Sequence, residues 1–236
     1  MIKQWIYDLC RAAHEQEAVA QLRSLESRLP SPRARFAIPF VFRGRGYFKV
    51  IAPRQNPVEI ESLYERVCDL RPRRVLEIGT ARGGTLYLWT QAATPDAQLI
   101  SVDLPGGEFG GAYPPCRVPF YQQFARPQQS MHLLRADSHA TDTLTKVKDL
   151  LRGEKFDFAF IDGDHTYAGV KQDFEMYGQL VRPGGLVAFH DILPRPDMPD
   201  IQVDKFWNEL KAARSSAVEF IGPESMRRIG IGLVTV

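Results

Sequence analysis

Between positions 74 and 191 the chain alternates short, continuously apolar runs with stretches of helical periodicity. The runs are "RVLEIGT" (74–80), "QLISVDL" (98–104), "MHLLRAD" (131–137), "FDFAFID" (156–162) and "GLVAFHD" (185–191), with helices expected near 84–93, 139–152, 167–181 and 200–214. A strand that is apolar on both faces needs cover on both faces, and a parallel sheet flanked by helices supplies it. Near the end, "AVEFIG" and "IGIGLVTV" are separated only by "PESMRR", the spacing of a hairpin. The expectation is an α/β fold: a mostly parallel sheet, helices on both faces, and an antiparallel hairpin strand at one edge.

Before this pattern lie 52 residues of different character. Ile2, Trp5, Ile6, Leu9, Val19, Leu22, Leu25 and Leu29 have helical spacing, and Pro30 and Pro32 end the run. "FAIPFVFRGRGYFKVIA" then suggests a hairpin or an irregular extended segment. Residues 1–52 are read as an N-terminal helix and hairpin-like appendage, and 53–236 as the main domain. The apolar stripe of the first helix is a candidate surface for homo-oligomer formation or a cover for a pocket, with packing on the core as the plain alternative. Asn56 followed by Pro57 marks the start of the first helix of the main domain.

Charge and cysteine content narrow the function classes. A net charge of +2 with interspersed signs gives no nucleic-acid footprint, and "RPRR" (71–74) and "SPRARF" (31–36) read as solvated faces. No apolar run approaches the roughly 20 residues that span a bilayer, so no membrane partner is expected. The start lacks the features of a secretory signal. Three dispersed cysteines form no disulfide framework, which suits a reducing compartment. Together these give a cytoplasmic expectation.

In an open α/β sheet, ligands sit beyond the carboxyl ends of the strands. The first run ends in "EIGTARGGT" (77–85), where Gly79, Gly83 and Gly84 allow a tight turn close to a ligand. A G-x-G-x-x-G register is absent, because Ala81 stands at its second glycine, and the loop read alone is equally a ligand-free turn. The second run ends in Asp103, a carboxylate placed to accept both hydroxyls of a ribose. The third ends in "ADSHA", bringing Asp137 and Ser138 to the same edge, where an adenine amino group would be met. Asp137 is also suited to a helix N-cap.

"VLEIGTARGGT", "ISVDLP", "LLRADSHA", "FDFAFIDGDHTYAGVKQDF" and "LVRPGGLVAFHDI" together resemble class I S-adenosylmethionine-dependent methyltransferases. The nearest group is the bacterial small-molecule and sugar O-methyltransferases related to cephalosporin hydroxylase-like proteins. The resemblance covers about residues 53–236 and implies a Rossmann-like sheet of seven strands, the last hairpin strand antiparallel. It implies that the glycine loop holds the amino-acid part of the donor, that the acid after strand two holds the ribose, and that the acid after strand three lies by adenine. The donor-side residues so assigned are Glu77, Gly79, Thr80, Ala81, Gly83, Thr85, Asp103, Leu104, Asp137, Ser138 and Asp162.

The acceptor side gathers at "FIDGDHTY" and "FHD". Asp162, His190 and Asp191 end neighbouring strands, and an oxygen-rich set with one imidazole suits magnesium, or manganese or iron. Related metal-dependent O-methyltransferases carry an acid pair where this chain has His190 and Asp191, so the histidine is a departure. The resemblance points to Asp164 as a general base, with His165 as second choice. Asp164 and His165 are also placed to cap the helix near Tyr167, and His190 to serve as a hydrogen-bonded core residue. The long segment 105–129, with Tyr113, Phe120 and Tyr121, is a candidate lid or a rigid loop, and "IAPRQNP" (51–57) is expected to border the site.

The function these readings define is O-methyl transfer from S-adenosylmethionine to a hydroxyl of a small molecule, a sugar or natural-product intermediate, assisted by a divalent metal. The alternatives are a metal-dependent hydroxylase-like enzyme on the same scaffold and a catalytically inactive donor-binding protein.

Overall fold

The computed structural model describes residues 2–106 and 113–236, without the side chains of residues 2–9. The first four apolar positions of the N-terminal stripe and residues 107–112 of the long segment therefore lie outside the described residues.

Eight α-helices and seven strands are present among the described residues: α1 (Ile2–Arg28), α2 (Ile38–Val41), α3 (Pro57–Leu70), β1 (Arg74–Ile78), α4 (Gly84–Ala92), β2 (Gln98–Val102), α5 (Val118–Gln122), β3 (Ser130–Leu134), α6 (Thr141–Leu151), β4 (Phe156–Ile161), α7 (Tyr167–Tyr177), β5 (Val181–His190), α8 (Val203–Ala213), β6 (Val218–Phe220) and β7 (Ile231–Thr235). One sheet holds all seven strands in the order β3-β2-β1-β4-β5-β7-β6. The first five pair in parallel, and β7 pairs antiparallel with both β5 and β6. The order reverses beside β1, so the functional crevice is expected above the β1, β2 and β4 tips.

Strand periodicity divides the core into two layers. Val75, Phe158, Phe160 and Ala188 face a cluster with Leu63, Leu86, Trp89 and Phe120, whereas Leu76, Ile78, Ala159 and Ile161 face one with Val147, Val170, Phe206 and Trp207. Trp89 meets Phe158 and Phe160 edge-on at centroid distances of 5.0 and 5.4 Å.

The start of α3 follows its sequence signal: the Asn56 side chain accepts from the Val58 N–H at 2.9 Å, and Pro57 occupies the first turn. On the same helix, buried Glu59 accepts from the N–H groups of Gly222, Ile229 and Gly230, tying the β6–β7 loop to the helix.

The hairpin or extended reading of residues 36–52 is corrected. The segment forms 3-10 turns at Ala34–Ala37 and Gly46–Phe48 around the single turn of α2. Burial decides this: Ile38, Phe42 and Phe48 join Ala18 and Leu22 of α1 in the first core cluster, which pulls the chain inward and leaves no ladder partner. The basic stretches are structural as well as solvated. Arg33 pairs with Glu65 and Asp69, and the Arg73 and Arg74 N–H groups donate to Asp157 Oδ2. In the described part of segment 105–129, Tyr113, Phe120 and Tyr121 are buried, and Tyr121 packs beneath the glycine loop.

Candidate active site

A cleft of about 750 Å³ opens beyond the carboxyl ends of the strands. Gly79, Ala81, Asp103, Leu104, Asp137, Ser138, Asp162, Asp164, His165, His190 and Asp191 all line it, so the structure gathers eleven of the expected residues in one cavity. Glu77, Thr80, Gly83 and Thr85 are not among the lining residues.

The position of Glu77 follows from strand alternation. It faces the α4 layer, where its Oε1 accepts from Trp89 Nε1 at 3.0 Å, and burial pushes its carboxyl up to about 8. Thr80 bonds Ser101 behind the loop. Gly83 holds φ +82°, and a Cβ there would lie 2.7 Å from the Tyr121 ring. The Tyr121 hydroxyl in turn donates to the Ala81 carbonyl at 3.1 Å, so the aromatic segment props the glycine loop from below. Gly79 faces the opposite constraint: a Cβ would lie 2.0 Å from the Asp162 carbonyl oxygen, so only glycine lets the β1 and β4 tips approach.

On the donor side, buried Asp103 accepts the Ala81 N–H at 2.8 Å through Oδ2. That bond fixes the carboxylate and shapes the loop around Ala81, whose φ is +43°. Asp137 is exposed and accepts the His139 N–H at 2.9 Å, an Asx turn leading towards α6, whose N-cap is Ala140. His139 lies 3.3 Å from the fully buried Asp173, which holds its imidazole up at about 8.

On the other side, two carboxylates and two imidazoles interlock. His190 Nδ1 stands 3.0 Å from Asp162 Oδ1 and 3.0 Å from Asp191 Oδ2. His165 Nδ1 is 3.2 Å from Asp191 Oδ2, and its Nε2 is 3.6 Å from Asp162 Oδ1. Neighbours on a strand point to opposite faces, but Asp191 has φ +60°, which turns its carboxylate back beside His190. Arg195 donates to Asp191 Oδ1 at 3.1 Å, and Gln55 donates to Asp162 Oδ2 at 2.5 Å. Burial disfavours charge on His190, but the charges of Asp162 and Asp191 prevail and raise it to about 10. The same balance raises His165, and it holds Asp191 below the usual carboxylate range against its burial.

The ligand geometry regroups the expected metal set. Asp162, His165 and Asp191 offer ligand atoms within 4.8 Å of one another, so His165 stands where the sequence suggested His190. His190 is 5% exposed, with Nδ1 against both carboxylates and Nε2 buried and unpartnered among the described residues. Two oxygen donors and one imidazole fit a divalent ion, with Gln55, Arg195 and His190 orienting the carboxylates. Asp164 accepts the Thr166 N–H at 2.8 Å, and Thr166 itself caps α7 by accepting from Gly169. The bracing residues Gln55 and Arg195 and the His139–Asp173 pair were not individually singled out in the sequence. Only "IAPRQNP" pointed towards one of them.

This sheet order, with its antiparallel β7 and a cleft at the strand tips, is a Rossmann-like fold shared with solved O-methyltransferases. Residues 76–192 match the model of a methyltransferase domain family. A solved O-methyltransferase from Streptomyces achromogenes involved in tomaymycin synthesis, in complex with S-adenosylmethionine, superposes with a TM-score of 0.54 at 22% identity, covering 74% of this chain and 78% of that one. The O-methyltransferase from Bacillus cereus in complex with S-adenosylhomocysteine gives 0.54 at 19% identity, covering 94% and 100%. A caffeoyl-CoA O-methyltransferase from Populus kitakamiensis is 24% identical over 192 residues, 81% of this chain and 70% of that protein. An uncharacterised Sinorhizobium fredii protein is 31% identical over 151 residues, and the matched region spans 62% of this chain but only 16% of that relative.

Proposed function

We propose that the chain transfers the methyl group of S-adenosylmethionine to a hydroxyl of a small molecule, a sugar or natural-product intermediate, with a divalent ion on the acceptor side. The observation that carries this reading is the shared cleft: the Asp103–Ala81 donor wall and the Asp162–His165–Asp191 cluster open into one cavity. The ion supplies a positive charge that lowers the pKa of the acceptor hydroxyl.

The chain's own residues do the rest. Asp103 receives the ribose hydroxyls, and the backbone of Gly79 to Ala81 lies along the amino-acid part of the donor. Asp137, Ser138 and Leu104 border the adenine. Asp162, His165 and Asp191 hold the ion, while His190, Gln55 and Arg195 fix the two carboxylates. His165 is also the group best placed to take the acceptor proton if no ion is required, because it lies between two carboxylates that stabilise its protonated form. Three unpaired cysteines are in keeping with a cytoplasmic setting. No helix among the described residues is long and apolar enough to cross a membrane.

The test has two readouts. Calorimetry should show S-adenosylhomocysteine binding that Asp103→Ala weakens by roughly 2–4 kcal/mol. A chelator should stop methyl transfer while leaving that binding nearly intact. Absence of donor binding in a folded sample overturns the reading. Full turnover after chelation removes the metal and leaves His165 as an unassisted base.

A further inference from the structure

The arginines lining the cleft lie at one end of it, beside the carboxylates of Asp162 and Asp191. Asp103 and Asp137 line the β2–β3 end, whereas Arg54, Arg195 and Arg227 line the end formed by the segment before α3 and the loops around β7. Arg195 is consumed by Asp191 and Asp197. Arg227 is exposed, and Asp197 is its ion-pair partner at a loose 3.6 Å. Arg54 is exposed and forms no hydrogen bond or ion pair among the described residues. Its two successors fix where it stands: Gln55 donates to Asp162 at the β4 tip, and Asn56 Nδ2 donates to the Arg227 carbonyl at 2.9 Å. Arg54 and Arg227 thus share one rim, next to the carboxylate cluster, with Pro53 of the same segment packed on Gly84.

We infer that the acceptor carries an anionic group, a phosphate or a carboxylate, received by Arg54 and Arg227. The inference rests on the methyl-transfer reading and specifies its acceptor. A guanidinium offers a planar fork of donors that matches either anion, and two of them on one rim hold it in a fixed orientation. The acids of the donor wall repel the same group. The acceptor therefore enters with its anion at the arginine rim and its hydroxyl towards Asp162, His165 and Asp191. A neutral sugar would give Arg54 no anion to receive and leave Arg227 only its loose pair with Asp197.

The experiment titrates the S-adenosylhomocysteine-loaded protein by calorimetry at low salt with matched probes: protocatechuate against protocatechuamide, glucose 6-phosphate against glucose, and inorganic pyrophosphate. The expected result is that an anionic probe binds about tenfold or more tightly than its neutral twin, the scale of a charge-assisted hydrogen bond. The preference should shrink as salt rises. It should vanish in the Arg54→Ala/Arg227→Ala double variant, and return in part with Arg54→Lys. Which pair discriminates tells carboxylate from phosphate. Normal S-adenosylhomocysteine binding with no preference for any anionic probe, or a preference that survives the double variant, overturns the inference alone. Loss of S-adenosylhomocysteine binding by the unaltered protein overturns the methyl-transfer reading and this one with it.

Discussion

Gln55 Nε2 donates to Asp162 Oδ2 at 2.5 Å, joining residues 107 positions apart in the chain. Both are at the cleft, one on the segment that enters α3 and the other at the tip of β4. The bond holds one oxygen of Asp162 and leaves Oδ1 facing the two imidazoles. Gln55→Ala should therefore loosen a carboxylate that the proposed ion needs. Manganese affinity, read by calorimetry, should fall about 10- to 100-fold, the usual effect of losing a group that orients a ligand. S-adenosylhomocysteine affinity should not change. Unaltered manganese binding in the variant would show that Asp162 needs no brace.

Glu59 makes a prediction about stability alone. Its carboxylate accepts three buried backbone N–H groups from the β6–β7 loop, two on Oε1 and one on Oε2. Glu59→Ala leaves all three without a partner and should destabilise the protein by about 3–4 kcal/mol in urea unfolding. Glu59→Gln keeps an oxygen that can serve two of the three donors and should cost about 1–2 kcal/mol. Equal losses for the two variants would mean that packing, and not the hydrogen bonds, sets the cost.

The legible part of this molecule was the part governed by periodicity. The five parallel strands begin and end near their apolar runs, and the Asn56–Pro57 start of α3 formed as its capping chemistry requires. β5 is the exception, since it reaches back to Val181 through "RPGG", which reads as a turn. Gly184, at φ +74°, lets the strand continue past an irregularity at Phe156–Phe158. Residues 34–48 were misjudged because aromatic content signals burial without saying whether a ladder partner exists. At the site, the sequence brought Asp162, His190 and Asp191 together correctly as neighbours. It could not tell that His165, from the loop after β4, would join them against both carboxylates. That arrangement depends on the backbone at Asp191 and on partners such as Gln55 and Arg195, which belong to other segments.

His190, Asp191 and Glu77 contribute to the pH dependence of the metal-free protein, beside His139 and His165, which are raised as well. His190 rises from 6.5 to about 10 in the fold, because Asp162 and Asp191 outweigh its burial. Its contribution is fully present below about pH 6.5 and is lost as pH climbs towards 10. Asp191 is lowered from 3.8, so its contribution is present above about pH 4 and is lost on acidification. Glu77 rises from 4.5 to about 8 through burial, so the unfolded chain gives up this proton first and folding weakens between those values. Stability of chelator-treated protein should peak in mild acid and decline from about pH 5 to 10. Glu77→Gln should remove the decline below about pH 6.5 and lessen it up to pH 8, and His190→Asn should lessen the decline from about 6.5 towards 10, with urea midpoints at pH 5, 6.5, 8 and 10 as the measurement. A flat profile in the unaltered protein would contradict both assignments.

Asp164 and His165 adjoin in sequence but are tied into the structure differently. Asp164 accepts the Thr166 N–H at 2.8 Å, and its carboxylate lies so close to Gly169 that a Cβ there would be 2.0 Å away. It shapes the turn into α7, and an asparagine oxygen can accept the same hydrogen bond. Asp164→Asn should therefore cost less than about tenfold in turnover, below the range expected for loss of a general base. His165 lies between Asp162 and Asp191, and their charges raise its pKa above 6.5 despite its burial. Both roles open to it, ion ligand and proton acceptor, need the neutral imidazole. The kcat/KM should consequently rise with pH through an apparent pKa above 6.5, and His165→Gln should abolish that limb and cost on the order of 10²–10⁴-fold. Manganese titration separates the two roles: a ligand's loss weakens metal binding, whereas a base's loss spares it. If instead Asp164→Asn is the severe variant and His165→Gln keeps the pH limb, the catalytic base is Asp164 and the turn it builds is incidental.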